Sequence, residues 1–262
     1  MIKLIVSDID GTLVSDGTSR INPEVFDVIM RLKREKGIHF AAASGRQAAS
    51  IEYTFGPIQK EIFYLAENGA YLGCYGRNLF LHPMDQKAAG VLIEDIRKNP
   101  KLEVLVSGAR CAYLEGGNME LYRWVKNGYH YDVEMVDDVT KTGDPIIKVA
   151  AFRKEGIQDA VGELVERHGS TFKMSISGNE WMDCMAPEIN KGAAVRTLQE
   201  SLGIAPEETM AFGDQMNDIE MLGRAYYSFA VGNARAEVKK AARFQADRNV
   251  NDGVLKVLKL LL

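Results

Sequence analysis

The stretch Leu4-Ile5-Val6-Ser7-Asp8-Ile9-Asp10-Gly11-Thr12-Leu13 constrains the fold of this chain more than any other. Residues 4–6 form a short aliphatic run bounded by turn formers, the pattern of a strand buried on both faces of a parallel sheet. The run ends in two aspartates one residue apart, followed at once by a glycine and a threonine. The carboxyl edge of such a strand opens on the crevice where open α/β sheets hold ligands. Two carboxylates there repel each other, and desolvating them costs on the order of several kcal/mol unless a cation or a proton offsets the charge. Gly11 allows a sharp turn and a close backbone approach. The feature reads as a metal-assisted site at a strand end.

The same arrangement recurs downstream. Residues 15–19 are a polar loop. Asn22-Pro23 then opens a helix, with Asn as cap and Pro in the first turn, and Gly37 closes it. Ile38 to Ala43 is a second buried strand ending in Ser44-Gly45-Arg46, with a helix from about Gln47; main-chain N–H groups there, with the Ser44 hydroxyl, suit a phosphate. Ile62 to Ala66 is a third strand, followed by Glu67-Asn68-Gly69-Ala70 and a hairpin over Tyr71 to Leu81 around Gly73 and Gly76. Strand–helix alternation of this kind predicts an α/β fold with a Rossmann-like, doubly wound parallel sheet.

From about His82 the character changes. Helices are expected over Asp85–Asn99, Met119–Tyr131 and Ile157–His168, and strands over Leu102–Leu114, Ile146–Phe152, Phe172–Ile176 and Glu180–Met185. A block of this kind between two halves of a parallel sheet is an inserted α/β cap domain. The expected division is a core of 1–83 and 186–262 and a cap of 84–185, with Pro83 and Pro187 near the crossovers. Beyond it, Lys191-Gly192 precedes a helix to Leu202. Thr209 to Phe212 is another apolar strand, ending in Gly213-Asp214-Gln215-Met216-Asn217-Asp218. Tyr227 to Val231 is a further strand, and an amphipathic helix from Val254 docks on the core.

Bulk properties narrow the partners. The 262 residues carry a net charge of −4 that is not blocked into one half, so no nucleic-acid groove is expected. Cys74, Cys111 and Cys184 are far apart and form no C-x-x-C pair, which argues against a disulfide framework or a zinc site and fits a reducing cytoplasm. The aspartates at 8 and 10 interrupt the N-terminal apolar run before a signal peptide could form, and no stretch nears the ~20 apolar residues needed to span a bilayer.

Apolar strands thus end in Asp-x-Asp, in Ser-Gly-Arg and in Gly-Asp-x-x-Asn-Asp, with Lys191 at the start of an intervening helix. If the strands are adjacent and parallel, these groups meet at one carboxyl edge. Asp8, Asp10, Asp214 and Asp218 are oxygen donors without nearby His or Cys, which suits Mg²⁺ better than zinc. Carboxylates, a hard cation and a lysine together suit phosphoryl transfer.

With these pieces the chain resembles the haloacid dehalogenase (HAD) superfamily, and within it the Cof-type sugar phosphatase branch with a large α/β (C2B-type) cap. The matching motifs are Asp-Ile-Asp-Gly-Thr-Leu at 8–13, Ser-Gly-Arg at 44–46, Glu-Asn-Gly-Ala at 67–70, Asn-Lys-Gly-Ala at 190–193 and Gly-Asp-Gln-Met-Asn-Asp at 213–218, followed by Gly-Asn-Ala at 232–234 and Asp-Gly-Val at 252–254. They run in family order along essentially the full chain.

The resemblance implies an Mg²⁺-dependent phosphatase of small phosphomonoesters, sugar phosphates above all, acting through an aspartyl-phosphate. Asp8 would attack phosphorus, and Asp10 would protonate the leaving alcohol and then deprotonate water. Mg²⁺ would be held by the Asp8 carboxylate, the Asp10 main-chain carbonyl and Asp214, with Asp218 direct or through water. Ser44, Gly45, Lys191 and Asn217 would hold the phosphoryl group. Arg46, Asn68 and Asp183 would face the substrate or the cap, as would the Gly-Gly turn of Glu115–Asn118. The partner is a small phosphorylated metabolite, with neither nucleic acid nor membrane. A phosphomutase would need a cap cation cluster, which Arg110, Arg123 and Lys126 do not obviously make, and a sugar-phosphate-binding regulator without turnover is the reading from another class. Neither substrate nor oligomeric state is legible.

Overall fold

The computed structural model describes residues 1–14, 20–74, 77–177 and 179–262; the loop expected over 15–19 and the turn expected at Gly76 lie outside them. Two compact units result, one of Met1–Phe80 with Asn190–Leu262 and the other of Leu81–Ile189.

In chain order the strands are β1 (Leu4–Asp8), β2 (His39–Ala43), β3 (Phe63–Ala66), β4 (Tyr71–Cys74) and β5 (Arg77–Leu81), then β6 (Glu103–Gly108), β7 (Ala112–Leu114) and β8 (Val133–Met135). β9 (Ile146–Phe152), β10 (Lys173–Ser177), β11 (Trp181–Met185), β12 (Thr209–Gly213), β13 (Tyr227–Ala230) and β14 (Phe244–Gln245) follow. The first unit is built on an eight-stranded sheet of order β14-β13-β12-β1-β2-β3-β4-β5. β1 is buried along its whole length, as its apolar sequence requires. It pairs in parallel with β2, Asp8 opposite Ala43, and with β12, Ser7 opposite Phe212. That register brings the carboxyl ends of the three strands level, so the residues that follow each of them emerge at one edge of the sheet.

The helices covering this sheet end where their caps dictate. In Pro23–Lys36, Asn22 Oδ1 accepts from the Glu24 N–H at 3.1 Å, and Gly37, at φ 69°, donates to the Leu32 and Lys33 carbonyls. Val25, Val28, Ile29 and Leu32 bury the helix's apolar face. Helix Lys191–Leu202 starts two residues earlier than the expected Ala193, because Asn190 Oδ1 accepts from the Ala193 N–H at 2.7 Å and caps it there. The C-terminal helix Gly253–Lys259 buries Val254, Leu255 and Leu258.

The second unit is a six-stranded sheet, β10-β11-β9-β6-β7-β8, antiparallel except for β7 with β8. Helices Gln86–Arg97 and Gly162–His168 share a core with Val104, Val106, Val149 and Met182, whereas Leu121 and Val125 pack with Leu105, Ala150, Phe152 and Trp181. Several expectations are corrected here. Leu102–Leu114 is two strands, β6 and β7, joined by a turn that Arg110 and Cys111 do not advertise. Met119–Tyr131 is an α-helix only to Arg123, then a π-helical turn over Trp124–Gly128. Gly73 lies inside β4, where a Cβ would come within 2.6 Å of the Tyr71 ring. The three cysteines are free and buried, and no helix among the described residues is long and apolar enough to cross a membrane.

Candidate active site

Asp8, Asp214 and Asp218 are buried together, with ligand-capable oxygens all within 4.8 Å of one another. Each reaches this place by a different route. Asp8 closes β1, Asp214 follows β12, and Asp218 ends the 3₁₀ turn Met216–Asp218. Asp218 Oδ2 accepts from the main-chain N–H groups of Asp214 and Gln215, both at 2.9 Å, and so tightens the loop that carries Asp214. It does not cap the following helix Ile219–Leu222. Two glycines make room. A Cβ on Gly11, at φ 80°, would lie 2.3 Å from Asp214 Oδ2, and one on Gly213 would lie 2.5 Å from the Asp218 Cβ.

Lys191, the first residue of its helix, supplies the counter-charge. Its Nζ donates to Asp8 Oδ1 at 2.5 Å and to Asp218 Oδ1 at 2.7 Å, with the side chain 1% exposed. Burial opposes the ammonium charge, but Asp218 and Asp8 outweigh it and hold the lysine above its usual range. Burial drives Asp8 well above the ordinary carboxylate range, with repulsion from Asp218 added and Lys191 pulling the other way. Asp214 is raised as well, chiefly by burial, and Thr12 eases it by donating from Oγ1 to Asp214 Oδ1 at 2.8 Å.

Asp10 leaves this cluster. Its side chain, 37% exposed, takes a two-point ion pair from Arg46: Nε to Oδ2 at 2.9 Å and a terminal nitrogen to Oδ1 at 2.5 Å. Arg46 also donates to Thr54 Oγ1 at 3.0 Å. The Ser44–Arg46 turn is clasped by the next loop: the Asn68 N–H donates to the Ser44 carbonyl and the Glu67 N–H to that of Arg46, both at 2.9 Å. Glu67 and Asn68 adopt φ of 49° and 54° to do so, conformations that L-residues hold only when surroundings enforce them. Buried Ser44 accepts on Oγ from the Arg46 N–H at 3.1 Å. Gly45 runs close under Asn68, whose Nδ2 would be 3.2 Å from a Cβ there.

The structure therefore brings together Asp8, Asp214, Asp218 and Lys191, and joins Asp10 to Arg46. Asn217 is tied to Asn68 instead, its Nδ2 donating to Asn68 Oδ1 at 3.1 Å. Asp183 belongs to the other unit, buried on β11 with Oδ1 3.7 Å from Lys148 Nζ. Glu115, expected to face substrate, accepts from Arg97 Nε at 3.0 Å. Sequence reasoning missed Thr12, Gln215 and Asn233. Gln215 donates from Nε2 to Asp214 Oδ2 at 3.0 Å, and Asn233 from Nδ2 to the Gly11 carbonyl at 2.7 Å. All three stand inside or beside the motifs quoted above, and that adjacency was the available signal.

A fit to a divalent cation can be tested on the residues themselves. Asp8 Oδ2 is buried and has no hydrogen-bond partner, an arrangement that costs free energy unless a ligand completes it. The donor set is all carboxylate oxygen, hard and anionic. The residues fit a hard divalent cation.

The haloacid dehalogenase-like hydrolase family model matches residues 5–258. The 5-amino-6-(5-phospho-D-ribitylamino)uracil phosphatase YbjI of Escherichia coli (strain K12) is 32% identical over 262 residues, covering 100% of this chain and 96% of that protein. The phosphatase of the same name, YcsE, of Bacillus subtilis (strain 168) is 28% identical, covering 98% and 95%. A crystal structure from Eubacterium rectale superposes with a TM-score of 0.91 at 34% identity, over 100% of this chain and 99% of that one.

Proposed function

This chain belongs to the haloacid dehalogenase-like hydrolases, as a phosphatase of small phosphate esters, and on that premise we propose that it cleaves sugar-type phosphomonoesters by an Mg²⁺-dependent aspartyl-phosphate route. One observation carries the reading: Lys191 Nζ bridges Asp8 and Asp218 inside a buried cluster of three acids. A structural ion pair would need one acid, whereas three acids around one lysine leave negative charge for a divalent cation to neutralise.

Asp8, Asp214 and the Asp10 carbonyl would hold Mg²⁺, with Asp218 direct or through water. When bound, the ion neutralises charge on the transferring phosphoryl oxygens and favours the ionised form of Asp8. The carboxylate of Asp8 attacks phosphorus as the bond to the leaving oxygen breaks, and the Asp10 carboxyl gives that oxygen its proton. Asp10, now ionised, takes a proton from water. The resulting hydroxide oxygen bonds to phosphorus, the acyl-phosphate bond breaks, and both aspartates return to their starting forms. Lys191, Ser44 and the turn amide of Gly45 steady the phosphoryl oxygens by charge-assisted hydrogen bonds, each worth roughly 1.5–3 kcal/mol. Asn217, held by Asn68, stands by the same loop. Arg46 occupies both Asp10 oxygens in the two-point pair, so one of the two contacts must open before Asp10 can carry and deliver the proton. The unit expected to act as a cap, with Asp183 among its buried charges, sets which alcohol is accepted.

The substrate named for both relatives is a phosphomonoester on a ribityl chain, and a polyol or sugar phosphate is the class this reading expects. The test is release of inorganic phosphate from p-nitrophenyl phosphate with and without EDTA, with Asp8→Asn in parallel. A panel of hexose, pentose, triose, ribitylamino-uracil and nucleotide phosphates follows. Turnover that survives EDTA or Asp8→Asn would sink the mechanism, and a preference for nucleotides would sink the substrate class.

A further inference from the structure

The turn that carries Asp10 is fastened from the far end of the chain. It first closes on itself: the N–H groups of Thr12, Leu13 and Val14 donate to the Ile9 carbonyl at 3.3, 2.9 and 3.0 Å, and Gly11 donates to the Val14 carbonyl at 2.9 Å. Asp10 and Val14 form a parallel bridge, so fixing Val14 fixes the main chain at Asp10. Two side-chain amides then reach the turn from outside. Asn233 Nδ2 donates to the Gly11 carbonyl at 2.7 Å and Asn249 Nδ2 to the Val14 carbonyl at 3.2 Å, across 222 and 235 residues of chain.

Chemistry fixes the orientation of both amides. Asn233 Oδ1 accepts from the Asn249 N–H at 3.0 Å, and Asn249 Oδ1 from the Val250 N–H at 2.8 Å. A main-chain N–H can only donate, so each oxygen is taken up there. Each nitrogen is then left for a carbonyl, which can only accept. The segments bearing the two asparagines are themselves joined. The Gly232 N–H donates to the Asp247 carbonyl at 3.2 Å, and a Cβ on Gly232 would lie 3.0 Å from the Arg248 main-chain nitrogen. Two residues beyond Asn233, the Arg235 N–H donates to the Asp214 carbonyl at 3.1 Å, so the same loop also steadies the end of β12.

These bonds bear on the one acid whose side chain must change partners. Arg46 holds both Asp10 oxygens, and one of those contacts must open for the proton to move. While it is open, the main chain of the turn is what keeps the carboxyl aimed. We propose that Asn233 and Asn249 are positioning residues for Asp10, clamping Gly11 and Val14 so that the turn holds the acid toward the leaving oxygen. This role rests on the reading of Asp10 as the proton donor.

The leaving group separates aim from stability. The p-nitrophenolate ion departs with little help from an acid, whereas phenolate, whose phenol ionises at about pH 10 as tyrosine does, needs its proton. At saturating Mg²⁺, kcat/KM is measured on p-nitrophenyl phosphate and on phenyl phosphate for wild type, Asn233→Asp, Asn249→Asp and Asp10→Asn. Each asparagine variant exchanges one N–H donor for an oxygen that faces a carbonyl. Each should lose roughly ten- to a hundredfold more on phenyl phosphate than on p-nitrophenyl phosphate, as a misplaced acid does, and Asp10→Asn should be at least as selective. A merely structural role would lower both esters alike. Equal losses on the two esters, or none, in Asn233→Asp beside a selective Asp10→Asn would overturn the proposal and leave the reading of Asp10 standing. A loss in Asp10→Asn that ignores the leaving group would overturn that reading and the proposal with it. Melting midpoints check the fold, and if Asn233→Asp does not fold, the same ratio in Asn249→Asp decides.

Discussion

Asp10 and Arg46 form a two-point ion pair, the guanidinium edge at 2.9 and 2.5 Å from the two carboxylate oxygens. The two groups are 36 residues apart in the chain and meet because β1 and β2 run side by side in register. A fork of this kind fixes the plane of a carboxylate as a lysine could not. Under the proposed mechanism Asp10 must reach both the leaving oxygen and a water, so its aim matters more than the energy of the pair. Arg46→Ala and Arg46→Lys should each lower kcat on p-nitrophenyl phosphate by roughly ten- to a hundredfold, as misplacement of a catalytic group does. Because both partners are partly exposed, stability should change by less than about 1 kcal/mol. A variant whose KM rises while kcat holds would show that Arg46 binds substrate instead.

Lys191 is the opposite case, a cation with 1% of its side chain exposed. Lys191→Ala would leave Asp8, Asp214 and Asp218 facing one another without a counter-charge. In metal-free protein the loss should reach about 3–5 kcal/mol, the usual result of removing one partner from a buried pair. Urea unfolding of wild type and variant in EDTA measures it. A loss under about 1 kcal/mol would mean the cluster is already protonated or hydrated in the absence of metal.

Asp95 gives a pH signature in the other unit. It accepts from Lys98 at 2.6 Å, from Arg167 at 2.9 Å and from His168 at 2.8 Å. These bonds, Lys98 first, hold its carboxyl below the usual range. A depressed carboxyl stabilises the fold above its unfolded value, about pH 4, and loses that contribution as pH falls below it. Asp95→Asn should therefore flatten the acid side of the stability profile and leave it lower near neutrality. Melting midpoints measured between pH 7 and pH 3 check this; an unchanged slope below pH 4 would remove Asp95 from the acid response.

The strand ends were readable because an apolar run that stops at an acid is a local pattern, and Asp8 and Asp214 both have it. Lys191 was readable for the same reason, at a helix start marked by Asn190 and Gly192. What escaped was non-local or shared a pattern with something else. Thr12 and Asp214 are 202 residues apart, and only the register of β1 with β12 brings them together. A π-helical turn such as Trp124–Gly128 carries nearly the same apolar spacing as the α-helix it follows. β8 is three residues long, too short for a period to show. Arg46 was visible as a charge, but whether it met substrate or an acid depended on a partner strand.

Metal binding and the backbone at Gly11 are linked by one distance, 2.3 Å between the Cβ a larger residue would carry and Asp214 Oδ2. At φ 80° an alanine would be strained as well as crowded, so Gly11→Ala should displace Asp214 from the cluster. Mg²⁺ at about a hundred times its Kd would stabilise the wild type by roughly 2.7 kcal/mol, and for a chain of this size that raises the melting midpoint by about 5–10 °C. The shift should vanish in Asp214→Asn and shrink sharply in Gly11→Ala, although the glycine itself donates no ligand atom. Thermal melts with and without Mg²⁺ read both effects without any substrate. A full shift in Gly11→Ala would mean that Asp214 is free to move aside, and that the glycine serves the turn alone.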